Sequence, residues 1–270
     1  MIDSHCHFDF DSFDADRLEV AKRCIERGIS GLIIPGVDER QWQAAAELCE
    51  NWLRHETADF RLWHMAGLHP LAVTHHHANQ TALEHLLGTL KSHCEKHQPL
   101  ALGETGLDRR LDTELPLESV FLGQIELAAE LKLPLCLHSV GRHNDVLRIL
   151  KQNRFSYGGI IHAFAGSPEE AFAYRDLGFA PGFGGLISYP RAAKTRRALQ
   201  ALNEGDFVLE TDAPDMPLAG AQGQRNTPDQ LAEVASIAAN LRGEDFEQVI
   251  TSSQACLERV LPRLAASLAS

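Results

Sequence analysis

Short apolar runs alternate with longer amphipathic stretches along the whole chain, and this alternation constrains the fold more than any other feature. The runs of strand length are Ile2–His7, Ser30–Pro35, Leu62–Leu68, Leu100–Thr105, Leu133–His138, Gly159–Phe164, Phe179–Gly184 and Phe207–Thr211. The stretches with helical periodicity are Ala15–Arg27, Gln41–His55, Ala82–His97, Pro116–Leu131, Asn144–Gln152, Pro168–Leu177, Arg191–Asn203, Thr227–Leu241 and Phe246–Leu264. Apolar strands that alternate with helices are typical of a parallel sheet covered by helices.

The number of strand–helix units favours a closed barrel over an open sheet. Eight such units in 270 residues match the roughly 250 residues typical of a (β/α)8 TIM barrel. We therefore predict an α/β protein with this fold, in a single domain that spans residues 1–265. The alternative is an open, doubly wound sheet, but the G-x-G-x-x-G motif of a dinucleotide-binding sheet does not follow the first strand.

Composition and charge limit the partners of the chain. The formal net charge of −12 excludes a general attraction for nucleic acid, so metal ions or a few arginines would have to meet a polyanionic substrate locally. No run of 18 apolar residues is present, which argues against a membrane span. The six cysteines have no paired spacing, as expected in a reducing compartment. We predict a cytoplasmic protein without an obligate protein partner.

Side chains that can bind metals occur near the carboxyl ends of the predicted strands. They are His5 and His7 of the first run, Glu104 of the fourth, His138 of the fifth, His162 of the sixth and Asp212, which follows the eighth. In a (β/α)8 barrel these strand ends form one face, and that face carries the active site. His5 and His7 are two residues apart, so an extended backbone would direct both to the same side. We expect all six side chains to converge.

Imidazole nitrogens combined with carboxylate oxygens suit a divalent ion such as Zn²⁺, Mn²⁺ or Mg²⁺. Six ligands exceed the four of a tetrahedral site, but they suffice for two ions about 3.5–4 Å apart. Glu104 is the predicted bridge, with the histidines of the first strand on one ion and those of the fifth and sixth strands on the other. Asp212 is predicted to bind the first ion and to accept a proton from the attacking water. The predicted chemistry is hydrolysis.

Several motifs resemble, in the same order, those of the TatD family of metal-dependent hydrolases. They are IDSHCHFD (2–9), GLHP (67–70), GETGLD (103–108), LPLCLHS (133–139), HAFAG (162–166) and ETDAPDMPL (210–218). The segment GGLISYPRAAKTR (184–196) also resembles the YjjV branch of the family. The resemblance implies a TIM barrel, a two-ion site and, for several members, a deoxyribonuclease that trims 3′ ends. The ligand sets that it implies are His5, His7, Glu104 and Asp212 for one ion, and Glu104, His138 and His162 for the other.

The resemblance also concerns substrate contacts. His69, in GLHP, matches a family histidine of the substrate pocket; the alternative is a structural histidine that caps the third strand. The family usually has an arginine directly after the His-Ser of the fifth strand, whereas here two residues come before Arg142, the predicted substrate contact. Arg109 and Arg110 stand where an aromatic residue is frequent. Because arginine binds phosphates and aromatic side chains stack on bases, these differences concern the handling of substrate.

These features together predict a divalent-metal-dependent phosphodiesterase, of the 3′–5′ exonuclease type on DNA. The first alternative is a hydrolase of small ester, amide or phosphoester substrates, which the negative charge and the displaced arginine favour. The second alternative is a non-catalytic metal-binding protein. The complete set of six ligands, with the proposed base Asp212 among them, argues against that second alternative.

Overall fold

The computed structural model describes residues 1–55 and 59–269, which form a closed parallel barrel. The strands are β1 Ile2–Asp3, β2 Gly31–Ile34, β3 Arg61–His64, β4 Leu102–Asp108, β5 Leu135–Val140, β6 Gly159–Ile161, β7 Phe179–Phe183 and β8 Val208–Leu209. Parallel pairing joins neighbouring strands in two groups, one in the order β1-β2-β3 and one in the order β4-β5-β6-β7-β8. Gly103 N donates to Ala66 O at 2.8 Å and Ser4 N donates to Leu209 O at 3.2 Å, which joins the two groups of strands at both edges. The predicted (β/α)8 barrel is confirmed, and the open sheet is excluded.

Helices surround the barrel. They are α1 Arg17–Glu26, α2 Glu39–His55, α3 Gln80–His97, α4 Leu117–Leu131, α5 His143–Gln152, α6 Pro168–Arg175, α7 Ala193–Ala201, α8 Leu231–Arg242, α9 Phe246–Val260 and α10 Pro262–Leu268. The prediction of one helix over 246–264 is wrong, because Pro262 has no N–H to continue the α9 ladder and instead begins α10. Among the helices of the described residues, none is both long enough and apolar enough to cross a bilayer.

One end of the barrel is filled by apolar side chains. Each strand or its flank contributes one of them: Ile2, Ile33, Met65, Ala101, Cys136, Ile160, Ala180 and Val208. From the C-terminal helices, Leu257, Leu261 and Leu264 pack into the same cluster. These contributors lie mainly near the amino ends of the strands. A polar site can therefore open only at the carboxyl ends, where the candidate ligands were predicted to lie.

The first strand is shorter than predicted, and this changes how its histidines are positioned. β1 ends at Asp3, so His5 and His7 lie in the loop that follows rather than in an extended strand. The carboxylate of Asp3 accepts hydrogen bonds from His5 N at 3.1 Å and from Thr211 N at 3.0 Å. This buried carboxylate fixes the loop after β1 against the residues after β8. Backbone hydrogen bonds from His7 N to Ala213 O at 2.8 Å and from Asp212 N to His5 O at 2.9 Å also hold these histidines at the barrel mouth.

Candidate metal centre

Glu104 lies at the middle of the barrel mouth and is only 1% exposed. One carboxylate oxygen, Oε1, faces histidines from the later strands. It lies 2.5 Å from His162 Nε2, 2.7 Å from His138 Nδ1 and 3.1 Å from His69 Nε2. These three histidines are carried by the loop after β6, by β5 and by the loop after β3. The first oxygen of Glu104 is therefore surrounded by imidazole nitrogens.

The other oxygen of Glu104, Oε2, faces the histidines that follow β1. It lies 3.1 Å from His5 Nε2 and 4.0 Å from His7 Nε2. Asp212 approaches the same two rings, with Oδ1 3.6 Å from His5 Nε2 and 3.7 Å from His7 Nε2. Each oxygen of Glu104 thus has its own group of candidate ligands, which is the arrangement expected of a carboxylate that bridges two ions.

The donor atoms fit divalent metal ions. His5 Nε2 is buried and makes no hydrogen bond, although two carboxylates lie within 4 Å of it. His138 Nδ1 and His162 Nε2 are 3.1 Å apart, close to the spacing of about 3.3 Å between two ligands that bind a tetrahedral ion at 2.0–2.1 Å. Donor groups that could hold an ion include His5 with His7 and Glu104, and Glu104 with His138 and His69. Mixed nitrogen and oxygen sets of this kind suit several divalent ions, such as Zn²⁺, Mn²⁺ and Mg²⁺.

The local electrostatics favour the ligand form of His5, His7 and Glu104. Burial lowers the pKa of His5 to about 4 and the pKa of His7 to about 3, so both imidazoles are neutral near pH 7. Burial raises the pKa of Glu104, but the neighbouring imidazoles of His162 and His69 outweigh it and hold the pKa well below its usual range. The Oε2 side of the centre therefore combines the neutral imidazoles of His5 and His7 with the ionised carboxylate of Glu104.

Asp108 is a further residue of the candidate centre, one that the sequence motifs did not single out. Its Oδ2 lies 3.1 Å from His138 Nε2, and its Oδ1 accepts a hydrogen bond from Arg110 Nε at 2.9 Å. Burial lowers the pKa of His138, but the carboxylates of Asp108 and Glu104 outweigh it and raise the pKa to about 9. A carboxylate behind a ligating histidine orients the ring. Asp108 follows Glu104 by four residues in β4, and this even spacing could have identified it.

His69 lies in the centre and also caps a short helix that follows β3. Its Nε2 lies 3.1 Å from Glu104 Oε1 and 3.2 Å from His138 Nδ1, so the ring belongs to the centre. Its Nδ1 accepts a hydrogen bond from Leu71 N at 3.0 Å and caps the short 3-10 helix Pro70–Ala72. The cap orients the ring towards the carboxylate. Contact of His69 with substrate stays a prediction.

Arg142 lies beside the centre but is already paired. Its guanidinium donates to Glu118 Oε1 at 2.9 Å and also to Asp145. The side chain lines a crevice of about 500 Å³ together with Asp108 and Arg109, next to the ring of His138. A substrate phosphate would have to compete with two carboxylates for this arginine. Its role in substrate binding stays a prediction.

Glu210 is a second carboxylate for which the sequence indicated no role. It is fully buried, and its Oε1 accepts a hydrogen bond from Ala163 N at 2.5 Å and lies 4.0 Å from His162 Nδ1. Burial and the nearby Asp212 raise the pKa of Glu210 well above its usual range. Burial and Glu104 do the same for the pKa of Asp212. Glu210 thus supports the loop after β6 from behind and contacts the edge of His162 that faces away from Glu104.

Comparisons with known proteins show what the chain as a whole is similar to. The sequence model of a family described as TatD related DNase matches residues 2–262. The uncharacterized metal-dependent hydrolase YjjV of Escherichia coli K12 is 36% identical, covering 92% of this chain and 93% of the relative. The 3′-5′ ssDNA/RNA exonuclease TatD of Erwinia billingiae is 32% identical, and the match covers 92% of this chain and 93% of the relative. The crystal structure of the TatD homolog YjjV from E. coli K12 superposes with a TM-score of 0.86 and 32% identity, covering 97% of this chain and 98% of that one.

Proposed function

This chain belongs to the TatD family of metal-dependent hydrolases, and from that premise we propose that it removes nucleotides from the 3′ end of single-stranded DNA. The observation that supports a two-metal phosphodiesterase most strongly is the carboxylate of Glu104, whose two oxygens face separate groups of ligands. Relatives at 32% identity that are named 3′-5′ ssDNA/RNA exonuclease support the substrate class. We take residues 1–265 as the hydrolase domain and the cytoplasm as its location.

We assign one ligand set to each of two ions. The first set is His5, His7 and Asp212, the second is His138 and His162, and Glu104 belongs to both. When bound, the ions would polarise a phosphodiester oxygen and favour ionisation of the attacking water. The protein would supply the remaining functions, which are proton transfer and the positioning of the scissile phosphate.

Asp212 is our candidate for proton transfer. Its side chain is 15% exposed and borders solvent, whereas Glu104 is enclosed by imidazoles at 1%. In the proposed step, the water oxygen bonds to phosphorus and the bond from phosphorus to the 3′ oxygen of the penultimate nucleotide breaks. Asp212 accepts the proton of the water, and the leaving 3′ oxygen is protonated in turn. A base at the rim can exchange this proton with solvent after each turnover.

The crevice beside His138 is our candidate for the path of the strand. It has a volume of about 500 Å³ and reaches the centre through Asp108. Arg109, on its wall, is an exposed cation in a chain with a net charge of −12. A guanidinium at this position can hold a phosphate of the strand by charge-assisted hydrogen bonds. Arg109 thereby offers one cationic group to a phosphate, in a crevice that Asp108, Asp112 and Glu118 also line.

A labelled oligonucleotide tests this function. A single strand carrying a 5′ label should shorten in single-nucleotide steps when Mg²⁺, Mn²⁺ or Zn²⁺ is present. The variants His138→Ala and Asp212→Ala should abolish the shortening, whereas His85→Ala, which removes an exposed histidine of α3, should not affect it. Shortening that survives in the two site variants would come from a contaminating nuclease and would contradict the proposal.

A second candidate function is hydrolysis of small esters, amides or phosphoesters. The pairing of Arg142 with Glu118 and Asp145 favours it, because it leaves one arginine fewer for a phosphate backbone. The protein should then hydrolyse members of a panel of such substrates only when metal is present and His138 is unchanged. It should leave oligonucleotides intact. Hydrolysis of oligonucleotides alone would reject this candidate.

A further inference from the structure

A second cluster of histidines lies outside the barrel mouth. His64 is the last residue of β3, and His93 and His97 belong to α3. Because Trp63 packs against the apolar cluster inside the barrel, the next side chain along the strand, His64, points outward to the helices. The ring centroids of His64 and His93 are 5.9 Å apart, and those of His93 and His97 are 4.6 Å apart.

The Nε2 atoms of these three histidines are buried and have no hydrogen-bond partner. Leaving one buried polar group without a partner costs about 1–3 kcal/mol, so three at one place require an explanation such as a bound ion or water. Burial lowers the pKa of His64 to about 3 and the pKa of His93 to about 4. Near pH 7 the rings of His64 and His93 are therefore neutral, and neither has to lose a proton before an ion binds.

The spacing within α3 suits one shared ion. His93 and His97 are four residues apart and lie on the same face of the helix, the spacing at which two histidines bind one zinc ion. The carboxylate of Glu50, from α2, lies 3.5 Å from Nδ1 of His97. The other nitrogen of this ring is the buried Nε2. A carboxylate at Nδ1 orients a ligating histidine. The cluster thus combines residues of α2, β3 and α3.

We propose that His64, His93 and His97 form a site for one transition-metal ion, such as Zn²⁺, Cu²⁺ or Ni²⁺. Two imidazoles on one tetrahedral ion at 2.0–2.1 Å have ring centroids about 5 Å apart, and the observed 4.6 and 5.9 Å bracket this value. Imidazole donors favour these ions over Mg²⁺. The ion would link α3 to β3 and stabilise the folded chain. The site does not depend on the proposed nuclease activity.

Crystals of the wild-type protein grown with zinc test the site without any substitution. We expect an anomalous peak at the zinc edge between the three Nε2 atoms, separate from any peak at Glu104. A feature at this place without anomalous signal would be a water molecule and would overturn the proposal, as would the absence of any feature.

Zinc stoichiometry gives a second test. After equilibrium dialysis, the double variant His93→Gln/His97→Gln should hold one zinc ion per chain fewer than the wild type. The control His75→Gln/His85→Gln removes two exposed histidines and should hold as many as the wild type. Metal-dependent hydrolysis should be the same in both variants, because neither changes the centre at Glu104. Equal zinc content in the His93→Gln/His97→Gln variant and the wild type would overturn the proposal. If that variant fails to fold, the anomalous peak in the wild-type crystals decides whether the site binds zinc.

Discussion

The Nε2 atom of His138 lies 3.1 Å from Oδ2 of Asp108, and the opposite nitrogen of the same ring, Nδ1, lies 2.7 Å from Glu104. Both carboxylates come from β4, and they hold the ring of β5 between them. A carboxylate on one edge of an imidazole fixes its tautomer and leaves the other nitrogen free to bind an ion. The orientation of this candidate ligand therefore depends on a residue that need not touch the ion.

Asp108→Asn tests this dependence. The amide cannot stabilise the ring as the carboxylate does, so we expect metal affinity or turnover to fall about 10–100-fold while the fold is kept. Titration with Mn²⁺ and steady-state kinetics would measure it. Glu114→Gln, the same chemical change at a nearby exposed position, should have no effect. Equal affinities and rates in the two variants would argue that Asp108 only anchors Arg110.

Removal of divalent ions should destabilise the protein. Without an ion, His5 Nε2 is buried without a hydrogen bond, so a chelator is expected to lower the midpoint of thermal unfolding. Mn²⁺ at 100 times its dissociation constant should restore about 2.7 kcal/mol. Glu104→Gln should lose most of this gain, because the bridging charge is gone. A gain of the same size in Glu104→Gln, measured by calorimetry, would place the ion elsewhere.

Asn226 holds the loop that carries Asp212. It is buried, and its Nδ2 donates to Thr211 O at 3.0 Å and to Asp215 O at 2.9 Å, on either side of that aspartate. Asn226→Ala should lower the free energy of unfolding by about 1–3 kcal/mol, because the carbonyls lose their donor. Turnover should fall as well, because Asp212 is displaced. Urea unfolding and kinetics would measure both, and the exposed Asn144→Ala should leave each of them near the wild-type value.

The buried His143 predicts a loss of stability in acid. Burial lowers its pKa, although Glu170 raises it, and its Nδ1 lies 3.2 Å from the hydroxyl of Tyr174. The unfolded chain takes up this proton near pH 6.5, before the folded chain does, so the free energy of unfolding falls as the pH drops below about 6.5. His143→Gln should make this decrease shallower, as measured by urea unfolding at several pH values. An unchanged slope would mean that other groups cause the acid sensitivity; the exposed His85→Gln is the control.

Parts of the candidate site could be predicted because they depend on local sequence. Glu104 and His138 lie in strands that the apolar runs already indicated, and their place near the carboxyl ends follows from the barrel. For His5 and His7 the predicted location agrees with the structure, but the predicted conformation does not. The strand ends at Asp3, and side-chain contacts of Asp3 position the loop instead. Such contacts join residues far apart in the chain and leave no periodic pattern.

The sequence by itself determined the order of strands and helices and the chemistry at each strand end, because periodicity and residue type are properties of short segments. Only the tertiary structure decided which side chains meet. It paired Arg142 with Glu118, placed Asp108 behind His138 and brought His64 of β3 against the histidine face of α3. These contacts depend on how the barrel closes and how each helix packs on it. Packing joins distant segments, so no single segment encodes them.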